Sequence, residues 1–407
     1  MILRPMPRFL LWAMLLGGSF LMGCSAGSQL EQAQTQQAAN NLSEALRHAN
    51  EATVEQPQNA SAHLLKAEII ERYSRNFQPA DRRDMYVNMM TSLNRAAETA
   101  NNDESATVQQ RADELRESAY TYEREAAENI LQSSEALNEE NRRAAAAHMH
   151  NTRIIKPSDT WSYNRLFELY YEHDEADLAL DVLLQMHEAG ITSDRHIETI
   201  GFFYYEKQAY EQALPYLQEA WNEGRGHLNT GRGLANTLLQ LNRTEEAEPV
   251  LQRLSRVDGL RVETRLSYGR LLAEKGVARL SAIAGAQNHP APQDSLEATH
   301  EILEAARQEL EAAYDLNRDD PRANSVLGLF QYNRAFAMQE FFRAYPFLKP
   351  DNAEEQMREL LYSGLTYLEF AAEEQPDETL WKALYNTYVY LDMREEAARA
   401  GEKLGLP

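Results

Sequence analysis

Side chains of one type return along this chain every 34 residues, and that recurrence limits the possible folds more than any other feature. Gly201, Tyr204, Ala213, Leu217 and Ala220 set the register. One period earlier stand Phe167, Tyr170, Ala179, Leu183 and Met186. One period later stand Ala235, Leu238, Ala247, Leu251 and Leu254, and a further step reaches Gly269 and Leu272. The residue before each lead is apolar too: Leu166, Ile200, Leu234 and Tyr268. A period of this size marks units too small to bury their own apolar face, which must stack on their neighbours. Ala213, Leu217 and Ala220 follow helical spacing, i, i+4, i+7. Phe202, Phe203, Tyr204 and Tyr205 alone would suit a strand. The period instead places them on the first of two helices, with "EQALPYLQEA" as the second. Pro215 is expected in the first turn of that second helix, where its missing N–H does little harm.

The pattern resembles the tetratricopeptide repeat (TPR), a pair of antiparallel helices in each unit. The resemblance implies small residues at positions 8, 20 and 27, where helices approach closely; Gly201, Ala213 and Ala220 stand there. Positions 7, 11 and 24 are filled by Ile200, Tyr204 and Leu217. Position 4 is not kept: it holds Tyr163, Ile197, Gly231 and Arg265. Second-helix signatures recur at Ala45 and Ala52, at Ala306, Leu310 and Ala313, and at Gly364, Leu368 and Ala371. Trp381, Leu384, Tyr388 and Ala397 fit one last unit. The expected fold is an all-α, TPR-like α-solenoid, a right-handed superhelix of roughly eight divergent units. Residues 41–159 hold divergent repeats, 160–275 the strict register, and 276–407 repeats carrying two inserts.

The register breaks twice. The unit led by Gly269 reaches its second helix at Ala306, about 25 residues late, and the unit led by Gly328 reaches it at Gly364, about as late. Both inserts, near 276–300 and 338–356, fall between the two helices of a unit. They are therefore expected to lie beside each other. The first contains "GAQNHPAPQDS", which reads as a loop. The second carries Phe341, Phe342, Tyr345 and Phe347. Either the first helices lengthen and these rings pack as a small core, or they form an exposed apolar edge that docks a partner. "RYSRNFQPADRR", residues 72–83, is a smaller insert of the same kind.

The resemblance also implies a concave groove lined by first-helix positions 2, 5, 9 and 12. The candidates are Trp161, Asn164, Tyr171, Arg195, Phe202, Tyr205, Arg232, Asn236 and Arg270. Aromatic rings beside Asn and Arg suit a peptide, whose backbone needs amide partners and whose side chains need pockets. Arg232 and Asn236 resemble two members of a clamp that some TPR domains close on a terminal carboxylate; the flanking units lack the others.

The N-terminus is of another kind. Arg4 and Arg8 precede an apolar run from Phe9 to Phe20, too short to span a membrane. Cys24, the single cysteine, follows Leu21-Met22-Gly23, which resembles a bacterial lipobox. That resemblance implies cleavage before Cys24, lipidation of Cys24, and attachment to a membrane, with the body at the cell envelope, on the periplasmic face of the outer membrane. Residues 1–23 are then a signal peptide. Residues 24–40, rich in Gln, Ala and Ser, read as a flexible tether.

Formal net charge is −23, which opposes nucleic acid as a partner. "GRGHLNTGRG" lacks the Lys-Ser/Thr pair of a phosphate loop, and its Gly224 and Gly226 suit the gap between two helices. His148 and His150, two apart on a helix, point to different sides and read as exposed. Acidic pairs such as Glu245-Glu246 read as solvated helix faces. No motif asks for a cofactor or metal. The chain is therefore expected to be a non-catalytic scaffold that binds a protein or peptide. TPR lipoproteins of this sort assist outer-membrane protein assembly, guide pilus secretins or dock cell-wall enzymes. The alternative is a periplasmic solute-binding or transport-accessory lipoprotein with a small-molecule cavity. An enzyme would need buried, convergent carboxylates or histidines.

Overall fold

The computed structural model describes residues 28–133, 137–222, 227–286 and 289–406. Cys24 and its lipobox, and Gly224 and Gly226, lie outside them. All regular elements among the described residues are helical: eighteen α-helices and two short 3-10 turns. The chain divides into two compact halves at Val182/Leu183. In the N-terminal half α1 (Gln29–Ala38) pairs with α2 (Leu42–Glu55), α3 (Ala60–Ser74) with α4 (Arg83–Thr99), and α5 (Ser105–Gln132) with α6 (Glu139–Ile155). α7 (Thr160–Glu172) follows, and the division falls inside α8 (Ala176–Glu188). The C-terminal half pairs α9 (Asp194–Glu206) with α10 (Tyr210–Asn222), and α11 (Leu228–Gln240) with α12 (Thr244–Val257). Three further pairs follow: α13 (Val262–Gly285) with α14 (Pro292–Leu316), α15 (Pro321–Ala344) with α16 (Ala353–Glu374), and α17 (Glu378–Tyr390) with α18 (Arg394–Lys403). Within each half the hairpins stack in chain order, the all-α repeat architecture expected from the TPR resemblance.

The period is written into the backbone as well. Asp174, Gln208 and Asn242 adopt left-handed φ of 60°, 57° and 57°, and Asn40 and Asp392 repeat it. In each case the following N–H reaches back to the helix just ended: Glu175 to Tyr170, Ala209 to Tyr204, Arg243 to Leu238, at 2.8–2.9 Å. This closure satisfies the last carbonyls of the first helix and turns the chain by its shortest route. Asp and Asn tolerate left-handed φ better than most side chains do.

Side-chain size then fixes the approach of the two helices. Ala179, Ala213 and Ala247 have no exposed surface. A Cβ added to Gly201 would sit 2.8 Å from Leu217, on the facing helix. In the extended hairpins the same contact survives: Gly269 meets Leu310 at 2.7 Å, and Gly328 meets Leu368 at 2.7 Å. The inserted residues therefore leave the packing pair intact and simply lengthen both helices beyond it. The first insert is accordingly not mainly a loop. α13 runs to Gly285 and α14 starts at Pro292.

The two inserts meet, as their shared edge requires. Tyr345 is buried and its hydroxyl lies 3.0 Å from the Ile283 carbonyl and 2.5 Å from that of Ala286, at the end of α13. Phe341 and Phe342 are buried beside it, with Phe341 5.2 Å from the Tyr345 ring. Only Phe347 of the four aromatics is exposed, at 75%. The reading of these rings as an exposed docking edge is thus overturned for Phe341, Phe342 and Tyr345, because lengthened helices gave them a core to enter. Tyr345→Phe should cost about 1 kcal/mol, since it removes a hydroxyl hydrogen bond from two backbone carbonyls that keep their N–H partners. A denaturation midpoint shift with unchanged slope would register it.

Two other expectations need correction. The tether of residues 24–40 does not describe 29–38, which form α1. Ser28 and Glu31 cap its start reciprocally, at 3.3 and 3.0 Å. Ala33, fully buried, packs with Ala45, Ala49 and Ile69. This segment has few large apolar residues because small ones allow close contact. Pro215 is not in the first turn of α10 but six residues in, and Pro249 repeats it in α12. Pro215 lies on the exposed face, where the freed Glu211 carbonyl meets water. Gly231, an irregular position 4, leaves room for Trp221: an added Cβ would lie 2.5 Å from its ring.

Candidate functional site

The nine groove candidates divide between the halves. In the N-terminal half Trp161 is half-buried beneath the Arg124 guanidinium, 4.8 Å from its ring centre. Asn164 is half-buried. Tyr171, 60% exposed, stacks on Phe167 with ring centres 5.6 Å apart.

In the C-terminal half Phe202 lies on Gly233 of α11, whose added Cβ would fall 2.9 Å from its ring. Tyr205 meets Phe202 and Tyr210 edge-on and accepts from the Asn236 amide at 3.5 Å. Phe202, Tyr205 and Asn236 are therefore half-buried mortar between α9 and α11. Arg232 donates to Asp258 and to Asn229. Its charge is already matched, so the clamp on a terminal carboxylate is not available there. Arg195 is exposed. Arg270, exposed, pairs with Glu274 at 2.8 Å and stands on the wall of a groove between α13 and α15.

That groove has a volume of about 490 Å³. Val277, Val326 and Leu329 give it an apolar floor; Arg270, Ser325 and Asn333 supply polar groups along it. Arg270 and Ala273 are first-helix positions 9 and 12, so the groove falls on the face that the resemblance implies. Its mix of apolar floor and sparse polar groups is that of a recognition surface. The sequence reading named Arg270 but missed the α15 wall, because the lengthened hairpins obscured the register there.

A second cavity, of about 600 Å³, lies among α14, α15, α16 and α17. Ala335, Phe342 and Met357 are buried on its floor, and Arg343, Glu354 and Glu359 stand exposed at its mouth. Neither cavity is sealed from solvent.

The N-terminal half contains buried, convergent ionisable groups that the sequence reading missed. Glu123 is completely buried. Its Oε1 accepts from Arg82 at 2.8 Å and from the Tyr86 hydroxyl at 2.7 Å. Its Oε2 lies 2.6 Å from His148 Nδ1 and accepts from Asn151 at 3.2 Å. Burial alone would raise the carboxyl's pKa; the bonds from His148, Tyr86 and Arg82 overcome this and hold it below the usual range. The insert 72–83 ends in the 3-10 turn Pro79–Arg82, which delivers Arg82 to this cluster. His148 is therefore buried, against expectation, whereas His150 is exposed beside the Tyr170 hydroxyl at 3.2 Å. The signal was present in α5: Leu115, Ala119, Glu123 and Ala127 share one buried stripe, and an acid on it needs partners. With both carboxylate oxygens occupied and no exposed surface, Glu123 offers nothing to a substrate. No group of three potential metal ligands occurs among the described residues, and no described helix is long and apolar enough to cross a membrane.

The family model for the tetratricopeptide repeat matches residues 204–261, which run from α9 to the start of α13. No curated protein matches the chain by sequence. Solved structures with similar folds include YrrB, described as a TPR protein with an unusual peptide-binding site. It shares 19% identity and a TM-score of 0.39 over 59% of this chain and 98% of its own. A tetratricopeptide repeat protein from Parabacteroides merdae shares 15% identity at a TM-score of 0.34, covering 59% of this chain and 91% of its own. PilF of Pseudomonas aeruginosa shares 18% at 0.30, covering 63% and 99%.

Proposed function

We propose that this protein is a non-catalytic scaffold that holds a protein or peptide segment at the bacterial cell envelope. It is tethered there by lipid on Cys24, on the periplasmic face of the outer membrane. The observation that carries the binding role is the groove between α13 and α15, with its apolar floor and flanking Arg270, Ser325 and Asn333. An extended segment needs that combination: apolar pockets for side chains and polar groups for its backbone. The anchor rests on Cys24 and the residues before it. Several acyl chains on one cysteine would hold the body far more firmly than a single chain.

Cell fractionation after Cys24→Ser tests the anchor. The variant should leave the membrane fraction, and its retention there would remove this part of the reading. Recovery of co-purifying proteins from solubilised membranes tests the groove. Arg270→Glu with Asn333→Glu, both at exposed positions, should reduce recovery of a defined partner at least tenfold. Unchanged recovery of every partner would remove the binding role from this groove.

A further inference from the structure

The two long hairpins end unlike the others of the C-terminal half. α13 and α15 each run 16 residues past their packing glycine, Gly269 and Gly328, whereas α9 runs five past Gly201. At about 1.5 Å per residue, the long hairpins project about 16 Å farther. Their end sequences, residues 280–293 and 341–350, contain none of the chain's 63 acids. The turns of the short hairpins are acidic instead: Glu206 and Glu211, Glu245 and Glu246, Asp392 and Glu395. Phe347 sits at the apex of α15/α16, and its exposure is built rather than loose. The 3-10 turn Pro346–Leu348 carries it, the Leu348 N–H closes on the Tyr345 carbonyl at 3.0 Å, and the Tyr345 ring meets it edge-on at 6.1 Å. Tyr345 is itself tied to the end of α13. Two exposed cations, Arg343 and Lys349, stand on either side of Phe347 in the chain; the first acids beyond them are Glu340 and Asp351. Lys349 is met by Glu354 at 3.3 Å, whereas Arg343 has no ion pair among the described residues.

We propose that the paired ends of these hairpins rest on an anionic phospholipid surface, with Phe347 at the acyl boundary and Arg343 and Lys349 among the headgroup phosphates. A chain of net charge −23 is repelled by such a surface. Only a part cleared of acids can approach it, and the ends of the long hairpins are cleared where the short turns are not. An aromatic ring beside basic side chains is the pairing that interfacial segments use: the ring enters the boundary and the cations stay with the phosphates. A protein partner would seat such a ring in a pocket shared with polar groups, yet Phe347 projects from a convex apex and lines neither cavity described above. The inference rests on the Cys24 anchor proposed above, and the length of the chain there supports it. Cys24 stands four positions before Ser28, the cap of α1. Four residues reach at most about 14 Å, so an anchor at Cys24 holds the body against the bilayer rather than on a long tether. A contact too weak to bind alone then acts at high effective concentration.

The test couples the chain from Cys24 to Pro407, through its single thiol, to a maleimide lipid in vesicles of equal parts phosphatidylethanolamine and phosphatidylglycerol. The anchor is then supplied chemically. A failure speaks of the hairpin ends alone, whereas fractionation of Cys24→Ser speaks of the anchor in cells. A dansyl amino acid placed at Phe347 should be quenched at least threefold when the lipids carry bromine on their acyl chains. The same group at exposed Gln252 of α12 should not be quenched. Arg343→Glu with Lys349→Glu, both at exposed positions, should lower the quenching at least twofold without touching the fold. No quenching at position 347 overturns the proposal, as does equal quenching at 347 and 252, or quenching that the charge reversals leave unchanged. In intact cells a benzophenone amino acid at position 347 should give a phospholipid adduct. A protein adduct in its place would assign the apex to a protein partner and overturn the proposal.

Discussion

Glu123→Gln lowers the melting temperature of the N-terminal half by about 10 °C. The amide has nearly the shape of the carboxylate, so the loss reports charge and hydrogen bonding rather than volume. Four donors converge on two oxygens: Arg82, Tyr86, His148 and Asn151. An amide group turned toward them presents N–H to N–H on one side and leaves the Arg82 charge without a counterion. Removing one partner of a buried ion pair costs about 3–5 kcal/mol, and each kcal/mol shifts a domain of this size by about 2–4 °C. The pH dependence has a definite sign. The folded pKa of Glu123 lies below its unfolded value, so its contribution is complete above the ordinary carboxylate range and fades as pH falls through the depressed folded value. The gap between wild type and Glu123→Gln should be full at neutral pH and narrow below about pH 4. A double-mutant cycle with Arg82→Gln should return a coupling of a few kcal/mol. Melting curves that coincide at pH 7 would show that the cluster stabilises nothing.

Gly328→Leu opens the α15/α16 hairpin and costs at least about 3 kcal/mol. A Cβ there already lies 2.7 Å from the Leu368 side chain and 3.1 Å from its backbone nitrogen, and overpacking of this kind typically costs about 1–3 kcal/mol before the rest of a leucine is added. The alanine variant gives a test of sign. In an open helix Gly→Ala stabilises by about 1 kcal/mol. At Gly285 nothing stands within 4 Å, so Gly285→Ala should be neutral or stabilising. Gly328→Ala should destabilise despite the gain in helix propensity that an interior alanine brings. Opposite signs from one substitution type, read by chemical denaturation, isolate the close approach as the cause. Equal signs would mean that the hairpin tolerates a wider spacing.

The fold was largely legible because the contacts that define it depend on side-chain size, and size recurs in register. Gly201, Gly269 and Gly328 could be matched to Leu217, Leu310 and Leu368 whether or not an insert lies between the two helices, since the packing pair stays in place while the hairpin grows beyond it. α1 escaped because Ala33 packs by being small, and a segment of alanine and glutamine looks the same whether it is a tether or a close-packed helix. The Glu123 cluster escaped because its members come from Arg82, Tyr86, His148 and Asn151, far apart in the chain; only the acid within an apolar stripe of α5 hinted at it. In the groove, position was legible and availability was not. Arg232 stands where the pattern puts it, yet Asp258 has already taken its charge.

The most direct test of the scaffold reading is site-specific photo-crosslinking in intact cells. A benzophenone amino acid placed at Arg270 or Asn333, on the wall of the α13/α15 groove, should give one or a few defined protein adducts. The same group at exposed Gln252 of α12 or Glu373 of α16, outside that wall, should not. Adducts specific to the groove positions are the predicted result. No adduct from Arg270 and Asn333, or the same adducts from all four positions, would contradict a scaffold that works through this groove.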